Sequence, residues 1–481
     1  MTHPLERPPT TVLSPDDLGA LGHRILSFTA ADVTSLGISH VARATVRVSH
    51  DRLRTSNDGD ELFINANTKF GQKAGVWWRV NRTDDTGLRE LVAFMERMAR
   101  EQPGDPAPRE MPLAPRTYLP QTVWFDQTVD AMNGALYDAV PTLLEAGRRV
   151  KLHQAAFIGA SARSVLYLDK QGLNIAGRAT DAELTLTEWN RDGEGSGWAG
   201  ASARDWRQLD ATAIADSCQE LTLRSAHPVA FEPGRRVAIL GPAAVVQLVR
   251  AMAYAWGAYE TIVQKTTPFW DPTTRHAKLG RRVMSDTITI TSHPNDPDGG
   301  YLPFFDYNGY RGGMPLTPMT WIERGVLKHL AFDPDYAASM GVVPANDIPF
   351  SMRLSASDGV PTVPLDDMIA VCKEGIYVNR FSNVEVTDSI SGMMTGVTRD
   401  GCFLVQHGKI TKALKNFRFS DSPFLFLNRI EAIGRSRRTA LGYAPPGPGN
   451  PRSWEQWPLE PIIVPPLMVN DFNFSGLAAA V

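Results

Sequence analysis

Cysteine is scarce in this 481-residue chain, which holds only Cys218, Cys372 and Cys402. The odd number, the wide spacing and the lack of any Cys-x-x-Cys pair exclude a disulfide framework and a thiolate zinc knuckle. Three small buried side chains are the plain reading. An excess of one charge is missing too. The formal net charge is -3, with no run of Lys and Arg, so a chain built to neutralise phosphates is disfavoured and no nucleic-acid partner is expected. Residues 1–14 are polar and Pro-rich, with no basic stretch leading into an apolar one, so no signal peptide is read. The apolar run Val237–Trp256 could suggest a membrane span. Gly241-Pro242 interrupts it, and Gln247 and Arg250 sit inside, so a strand followed by a helix opened by Pro242 explains it better. These absences together predict a cytoplasmic protein with no membrane contact. Also missing are tandem repeats, low-complexity tracts, a Gly-x-Ser-x-Gly elbow, a P-loop and a dinucleotide fingerprint.

What is present fits a folded globular chain: 43% hydrophobic and 21% charged residues. The length suggests two or three domains. Strand signals occur at Ala42–Ser49, Glu61–Ala66 and Ala74–Val80, with Asn57-Asp58-Gly59 as a turn. In the first of these, Ala44, Val46 and Val48 alternate with Arg43, Thr45 and Arg47. Leu88, Leu91, Val92, Met95 and Met98 mark a helix that Asp84 or Asp85 can cap. Residues 103–120 are rich in Pro without periodicity and read as a linker. A second amphipathic helix is expected over Asp126–Glu145. Strands follow at Ala156–Tyr167, Ala182–Trp189, Ser285–Thr291 and Trp321–Phe332, with turns at Asp192-Gly193 and Arg324-Gly325. Further on, Cys402–Gln406 and Lys409–Lys412 read as a hairpin turning at His407-Gly408. Ile462–Val469 reads as an edge strand, because Pro465-Pro466 lie within it.

The expectation is an α+β fold, with a small N-terminal α/β domain followed by a larger sheet-dominated C-terminal domain. The boundaries are 15–102, the linker 103–120, a middle α+β region 121–230, and 231–475.

Five stretches then resemble, in the correct order, landmarks of the TldD/PmbA family, one arm of which is named as a modulator of DNA gyrase. They are Arg47–Asn57, Glu232–Ala244, Trp321–Lys328 (similar to the family's "LIENGVLK"), Gly401–Ile410 and Ile430–Gly434. The likeness runs from about residue 40 to 475. In the TldD arm, a His-Glu-x-x-x-His motif follows the strand near residue 240 and holds zinc, and the Glu takes a proton from the metal-bound water. Five residues at about 100° each set the two His roughly 140° apart on an ideal helix. The family's spacing therefore implies a distorted or ending helix. A Cys near the C-terminus is a further ligand in that arm.

Carried over residue by residue, the first His falls at Arg250, the Glu at Ala251 and the second His at Ala255. No Cys lies in residues 445–481, and no His lies between His227 and His276. Arg stays protonated and Ala has no donor atom. No zinc or other cofactor is therefore expected in this chain, nor a catalytic residue of that type. The PmbA/TldE arm also lacks the motif and pairs with a zinc-bearing TldD subunit around a peptide-processing chamber. The resemblance thus implies a non-catalytic subunit of a metallopeptidase-type assembly. Its partner would be such a TldD-like subunit or a second copy of itself, and its substrate a peptide or unfolded protein. Two alternatives stand beside it: a peptide-modifying enzyme or hydrolase with zinc-independent chemistry, and a peptide-binding regulatory module.

Other residues also invite a functional reading. Arg250 reads either as a helix charge that meets solvent or pairs with Glu260, or as a replacement for the lost metal charge that grips a peptide in the cleft. His293, Asp296 and Asp298 lie in a Pro-broken turn without calcium-loop spacing, and a solvated loop is favoured. Cys402 with His407 invites a thiol–imidazole dyad, but core packing is preferred. Gly312-Gly313 reads as backbone freedom only.

Overall fold

The computed structural model describes residues 11–104, 123–294, 296, 298–299, 313, 315–332, 334–342, 351–440 and 462–478. The chain opens with helix α1 (Pro15–Leu26), capped by Ser14 and Asp17, each of whose side chains accepts from the other's backbone N–H. Strands β1 (Val33–Ser49) and β2 (Arg52–Lys69) form one long hairpin, and β3 (Val76–Val80) adds to β2. After helices α2 (Asp85–Glu101), α3 (Asp126–Ala131) and α4 (Ala135–Arg149) come β4 (His153–Asp169), β5 (Asn174–Trp189), β6 (Ser196–Ala203) and helix α5 (Ala211–Arg224). The six strands make one antiparallel sheet in the order β3-β2-β1-β4-β5-β6.

This sheet corrects the expected division of the N-terminal half. β1 pairs with β4 from Ser35↔Asp169 to Ser49↔Ala155, so residues 15–102 and 121–230 share one layer. Most of the Pro-rich stretch 103–120 lies outside the described residues. The turn expected at Asn57-Asp58-Gly59 is instead continuous strand, with Asn57 opposite Thr45 and Gly59 opposite Arg43. The chain turns at His50-Asp51, both in the left-handed region (φ 49° and 63°), where a two-residue hairpin needs them. The helix expected over 126–145 is two helices, broken where Gly134 adopts φ -178° and ψ -58°.

Period-2 alternation gives the sheet two unlike faces. Leu36, Ile38, Ala42, Ala44, Val46 and Val48 of β1 point one way, under α1 and α2 at one end and α4 and α5 at the other. The opposite face carries buried Ser39, Arg43, Ser161, Asp181 and Glu183. Such polar burial requires partners.

The C-terminal half begins with β7 (Gly234–Leu240) and helix α6 (Pro242–Met252), which passes into a 3₁₀ turn, Ala253–Trp256, and a π turn, Glu260–Gln264. Strands β8 (Trp270–Asp271) and β9 (His276–Ala277) form a small hairpin. Then come β10 (Ile288–Ser292), β11 (Met319–Glu323), β12 (Val326–Leu327), helix α7 (Pro334–Met340), β13 (Arg353–Ala356) and helix α8 (Leu365–Val371). Next are β14 (Glu374–Asp388), β15 (Met393–Gln406), β16 (Lys409–Ala413), β17 (Phe417–Asp421) and helix α9 (Pro423–Phe426). The chain closes with β18 (Ile430–Ile433), β19 (Arg437–Thr439), β20 (Ile462–Val464) and β21 (Leu467–Leu477). One sheet runs β12-β11-β10-β13-β20-β19, another β14-β7-β21-β17-β15-β16 with β18 on β21. The fold is α+β and sheet-dominated, with the larger sheet region C-terminal.

Ile462–Val469 is not an edge strand. β20 lies between β13 and β19, while β21 lies between β7 and β17. Pro465-Pro466 sit at the crossing between the two sheets, where the lost N–H breaks neither ladder. The turns at Arg324-Gly325 and His407-Gly408 form where expected, with positive φ at all four residues. Most of the Pro-rich segment from Tyr443 lies outside the described residues.

One buried carboxyl tests this packing. Glu188 of β5 is fully buried, and one of its oxygens accepts from Gln154 Nε2 at 2.7 Å. Gly147 of α4 comes so close that a Cβ there would lie 2.4 Å from both side chains. Burial pushes the Glu188 pKa from 4.5 to about 7, Asp51 adds a like charge, and the Gln154 bond only partly opposes them. The native state therefore holds a proton that the unfolded chain has lost between these two values. Stability falls as pH rises through that window and stays lower above it. Glu188→Gln should match the wild-type Tm near pH 4 and exceed it at pH 8, by about 1–3 kcal/mol in stability. Equal Tm values at pH 8 would show that folding does not raise the Glu188 pKa.

Candidate functional site

The landmarks singled out in the sequence converge on α6. β7 is held between β14, in parallel through Ala238↔Ile376, and β21, antiparallel through Leu240↔Leu467. Gly241 ends it, donating its N–H to the Val378 carbonyl at 2.9 Å. A Cβ at this glycine would stand 3.0 Å from the Asn379 carbonyl oxygen, so close approach accounts for it. Pro242 then opens the helix at its first turn. Val245, Val246, Leu248, Val249 and Met252 are all buried, because α6 packs against β14 on one side and β19 and β20 on the other. A helix covered on both sides is apolar nearly all round, which explains its membrane-like composition. No helix among the described residues is long and apolar enough to cross a membrane.

The helix changes character where the family spacing implies. α6 ends at Met252, and Ala253–Trp256 continue as a 3₁₀ turn. Trp256 is fully buried, edge-on to Phe269 at 5.3 Å and to Trp321 at 6.5 Å. The Trp256 carbonyl accepts from Ala331 N at 2.7 Å, and Trp321 donates Nε1–H to Ser292 Oγ at 2.8 Å. The landmark Trp321–Lys328 is thereby packed directly on the α6 landmark.

The three motif positions face different surroundings. Arg250 is exposed in the last turn of α6, where a cation complements the helix dipole. Among the described residues it forms no ion pair, so the pairing with Glu260 does not occur. Ala251 is half-buried against the core, and Ala255 is fully buried within it. A guanidinium and two methyl groups supply no metal donor and no base. This donor set does not fit zinc, and no zinc chemistry is derived for it. Tyr254 lies beside these positions, donating its hydroxyl to the Ser389 carbonyl at 3.0 Å. Burial, reinforced by Asp388, pushes its pKa up to about 12, so it stays a neutral donor.

The remaining candidates resolve as structural. Asp296 accepts from Arg353 Nε at 2.6 Å and Nη2 at 2.7 Å, and from the backbone of Asp298 and Gly299. Burial pushes its pKa upward, but the Arg353 bonds outweigh it and hold the carboxyl below the usual range. Asp298 also accepts from Arg353, and His293 is exposed, so the loop is pinned by an arginine. Cys402 is buried, and burial raises its thiol to about 12. His407 sits exposed in the hairpin turn five residues on, roughly 16 Å along an extended strand. No dyad forms. Gly313 adopts φ 66°, as backbone freedom requires, whereas Gly312 lies outside the described residues. Among the described residues, Asp192, Glu194 and His227 bring ligand atoms within 4.8 Å of one another, all exposed, on turns outside α6.

Sequence reading missed one feature, because it joins residues far apart in the chain. Asp181 of β5 accepts from Arg204 Nη1 at 2.7 Å and also pairs with Arg438 Nη2. Arg204 reaches on to the Gly299 carbonyl at 2.7 Å. This cluster ties the charged face of the first sheet to the C-terminal half. Alternation in β5 could have flagged Asp181 and Glu183 as one face, but not their partners.

Comparison with known proteins agrees with this geometry. A family model described as the PmbA/TldA metallopeptidase C-terminal domain matches residues 233–476. A curated relative from Archaeoglobus fulgidus, called a metalloprotease, is 23% identical over 164 residues, or 33% of this chain; the match spans 37% of that relative's length. TldE from Thermococcus kodakarensis superimposes with a TM-score of 0.79 at 16% identity, over 95% of this chain and 100% of that one. A protein from Thermotoga maritima described as a candidate modulator of a DNA gyrase gives 0.78 at 14% identity, over 95% and 99%. One from Bacteroides thetaiotaomicron with the same description gives 0.75 at 16%, over 96% and 99%. At these identities the superpositions establish a shared fold.

The burial of position 255 has a measurable consequence. Ala255→His places an imidazole in a packed core and should destabilise the chain by about 1–3 kcal/mol in urea denaturation. The triple variant R250H/A251E/A255H should therefore lose stability rather than regain a zinc site. One zinc per chain at unchanged Tm would refute the argument from burial.

Proposed function

Because this chain belongs to the PmbA/TldD metallopeptidase family, we propose that it is a non-catalytic subunit of a peptide-processing assembly. One observation supports this reading: α6 lies within the stretch that the family model matches, while Arg250, Ala251 and Ala255, which the resemblance aligns with the ligands and base, carry no ligand or base group. The catalytic metal would then belong to a zinc-bearing relative, and this chain would help to enclose the peptide. A second copy of this chain is the other partner the reading admits. The three cysteines are free and buried, which fits a cytoplasmic setting.

Within this role Arg250 is a peptide contact. Its guanidinium is exposed at the end of a helix that is otherwise buried, and it forms no ion pair among the described residues. It is therefore available to a carboxylate or carbonyl of a bound peptide.

Two measurements test the proposal. Co-expression with a homologue carrying His-Glu-x-x-x-His should give a stable complex that cleaves peptides and is inhibited by EDTA, while this chain alone shows no cleavage. Cleavage by the isolated chain that survives EDTA would instead favour altered chemistry, and a homodimer that never joins such a homologue would sink the two-subunit reading. Arg250→Ala should weaken peptide binding by the complex about tenfold with Tm unchanged, because the side chain is exposed. Unchanged affinity would remove Arg250 from the cleft.

A further inference from the structure

A cavity lies at the N-terminal end of α6. Its volume is about 560 Å³, and its walls include Pro242, Asp298, Asp366, Arg435, Arg437 and Arg438. This volume is in the range of small-molecule sites. The cavity lies beside the junction of the two C-terminal sheets, where Pro466 joins β20 to β21. Pro242 follows β7, Arg437 and Arg438 belong to β19, and Arg438 reaches across to β6 through Ser202 Oγ at 3.0 Å.

Among the described residues, arginines outnumber acids in its wall. The Arg438 side chain is only 8% exposed and donates to Ser202, to the Asp298 carbonyl at 3.3 Å and to Asp181. The same Asp181 carboxylate serves Arg204, whose side chain is 5% exposed. Two buried guanidiniums thus share one carboxylate. Burial lowers the Arg204 pKa to about 10, Asp181 opposes this, and Arg438 and Arg163 add like charge. At the mouth, Arg435 and Arg437 are exposed and form no ion pair among the described residues. Of the two acids in the wall, Asp298 is already committed to Arg353 at 3.2 Å. Among the described wall residues, that leaves Asp366 to face the two outer guanidiniums. The first turn of α6 has no side-chain cap and adds partial positive charge.

We propose that this cavity binds the oxyanion of a small organic acid, a carboxylate or a phosphate, between Arg435 and Arg437, with Arg438 as the fixed wall behind it. The planar guanidinium fork suits either oxyanion in a bidentate pair. The site is separate from Arg250, which lies about 12 Å along the helix at 1.5 Å per residue. It stands independently of the subunit role proposed above.

The test is isothermal titration of the full chain with inorganic phosphate, with citrate, and with a tripeptide bearing a free or an amidated C-terminus, all at fixed ionic strength. At least one should bind with Kd below about 1 mM, and R435A/R437A should weaken that ligand by about tenfold or more. Arg275→Ala, an exposed arginine elsewhere, serves as the control and should change nothing. Binding of phosphate but not the tripeptide supports a phosphate source. Binding of the free but not the amidated tripeptide supports a peptide carboxylate. Both arginines are exposed, so Tm should hold; if it does not, R435Q/R437Q gives the same decision. No binding by any of these ligands, or full affinity in the double variant, overturns the proposal.

Discussion

The pairing of Asp181 with Arg204 and Arg438 is the contact on which the two halves of the chain depend. Asp181 projects from the first sheet on the face that the helices do not cover, and Arg438 comes from the far end of the sequence. A buried ion pair contributes little net stability by itself, because removing both charges from water costs about as much as their attraction returns. Removing one member is a different matter, typically about 3–5 kcal/mol, because a charge is then left buried alone. The interaction therefore acts as a registration device. It fixes where β19 sits against β6, and through β19 and β20 it fixes where α6 lies between its sheets. Asn379 adds to this with two side-chain bonds, to the Trp198 and Asp400 carbonyls, both 2.9 Å.

Much of the fold was legible because it rests on local signals. The alternation of Ala44, Val46 and Val48 against Arg43, Thr45 and Arg47 marks β1, and its apolar residues do meet the helices. Gly241-Pro242 separates β7 from α6 as its chemistry requires. The failures are equally physical. Asn57-Asp58-Gly59 has ideal turn composition, yet the register between β1 and β2 overrides it, because pairing along the whole hairpin outweighs one local preference. His50-Asp51 carries a weaker turn signal and takes the positive φ values instead. Pro465-Pro466 suggested an edge, but two prolines at the crossing between sheets leave both neighbouring strands free to sit centrally. Whether a strand is central is decided by partners distant in sequence, and composition does not carry that information.

The candidate site divides in the same way. The identities at 250, 251 and 255 are read from the sequence once the resemblance aligns them, and the end of α6 at Met252 agrees with the geometry that spacing implies. Their environments are not legible there. Nothing local distinguishes the exposed Arg250 from the fully buried Ala255, since both depend on what β14, β20 and Trp321 place against the helix. The arginine-lined cavity is less legible still. Arg435, Arg437 and Arg438 look like an ordinary polar stretch until Pro242 and Asp298 are brought against them.

The helix at the positions aligned with the family motif is tightly packed. Small residues at 251, 253 and 255 let the chain tighten from α-helix to 3₁₀ helix without steric conflict, and Trp256 fills the core beyond them. At position 255 a methyl group is part of the continuous core. An imidazole at that position would have to displace packed side chains, so the alanine there is a structural residue. Three residues past the helix end the chain is core, whereas Arg250 in its last turn is exposed. Recognition at this end of α6 would therefore use the surface that Arg250 presents rather than the packed position 255.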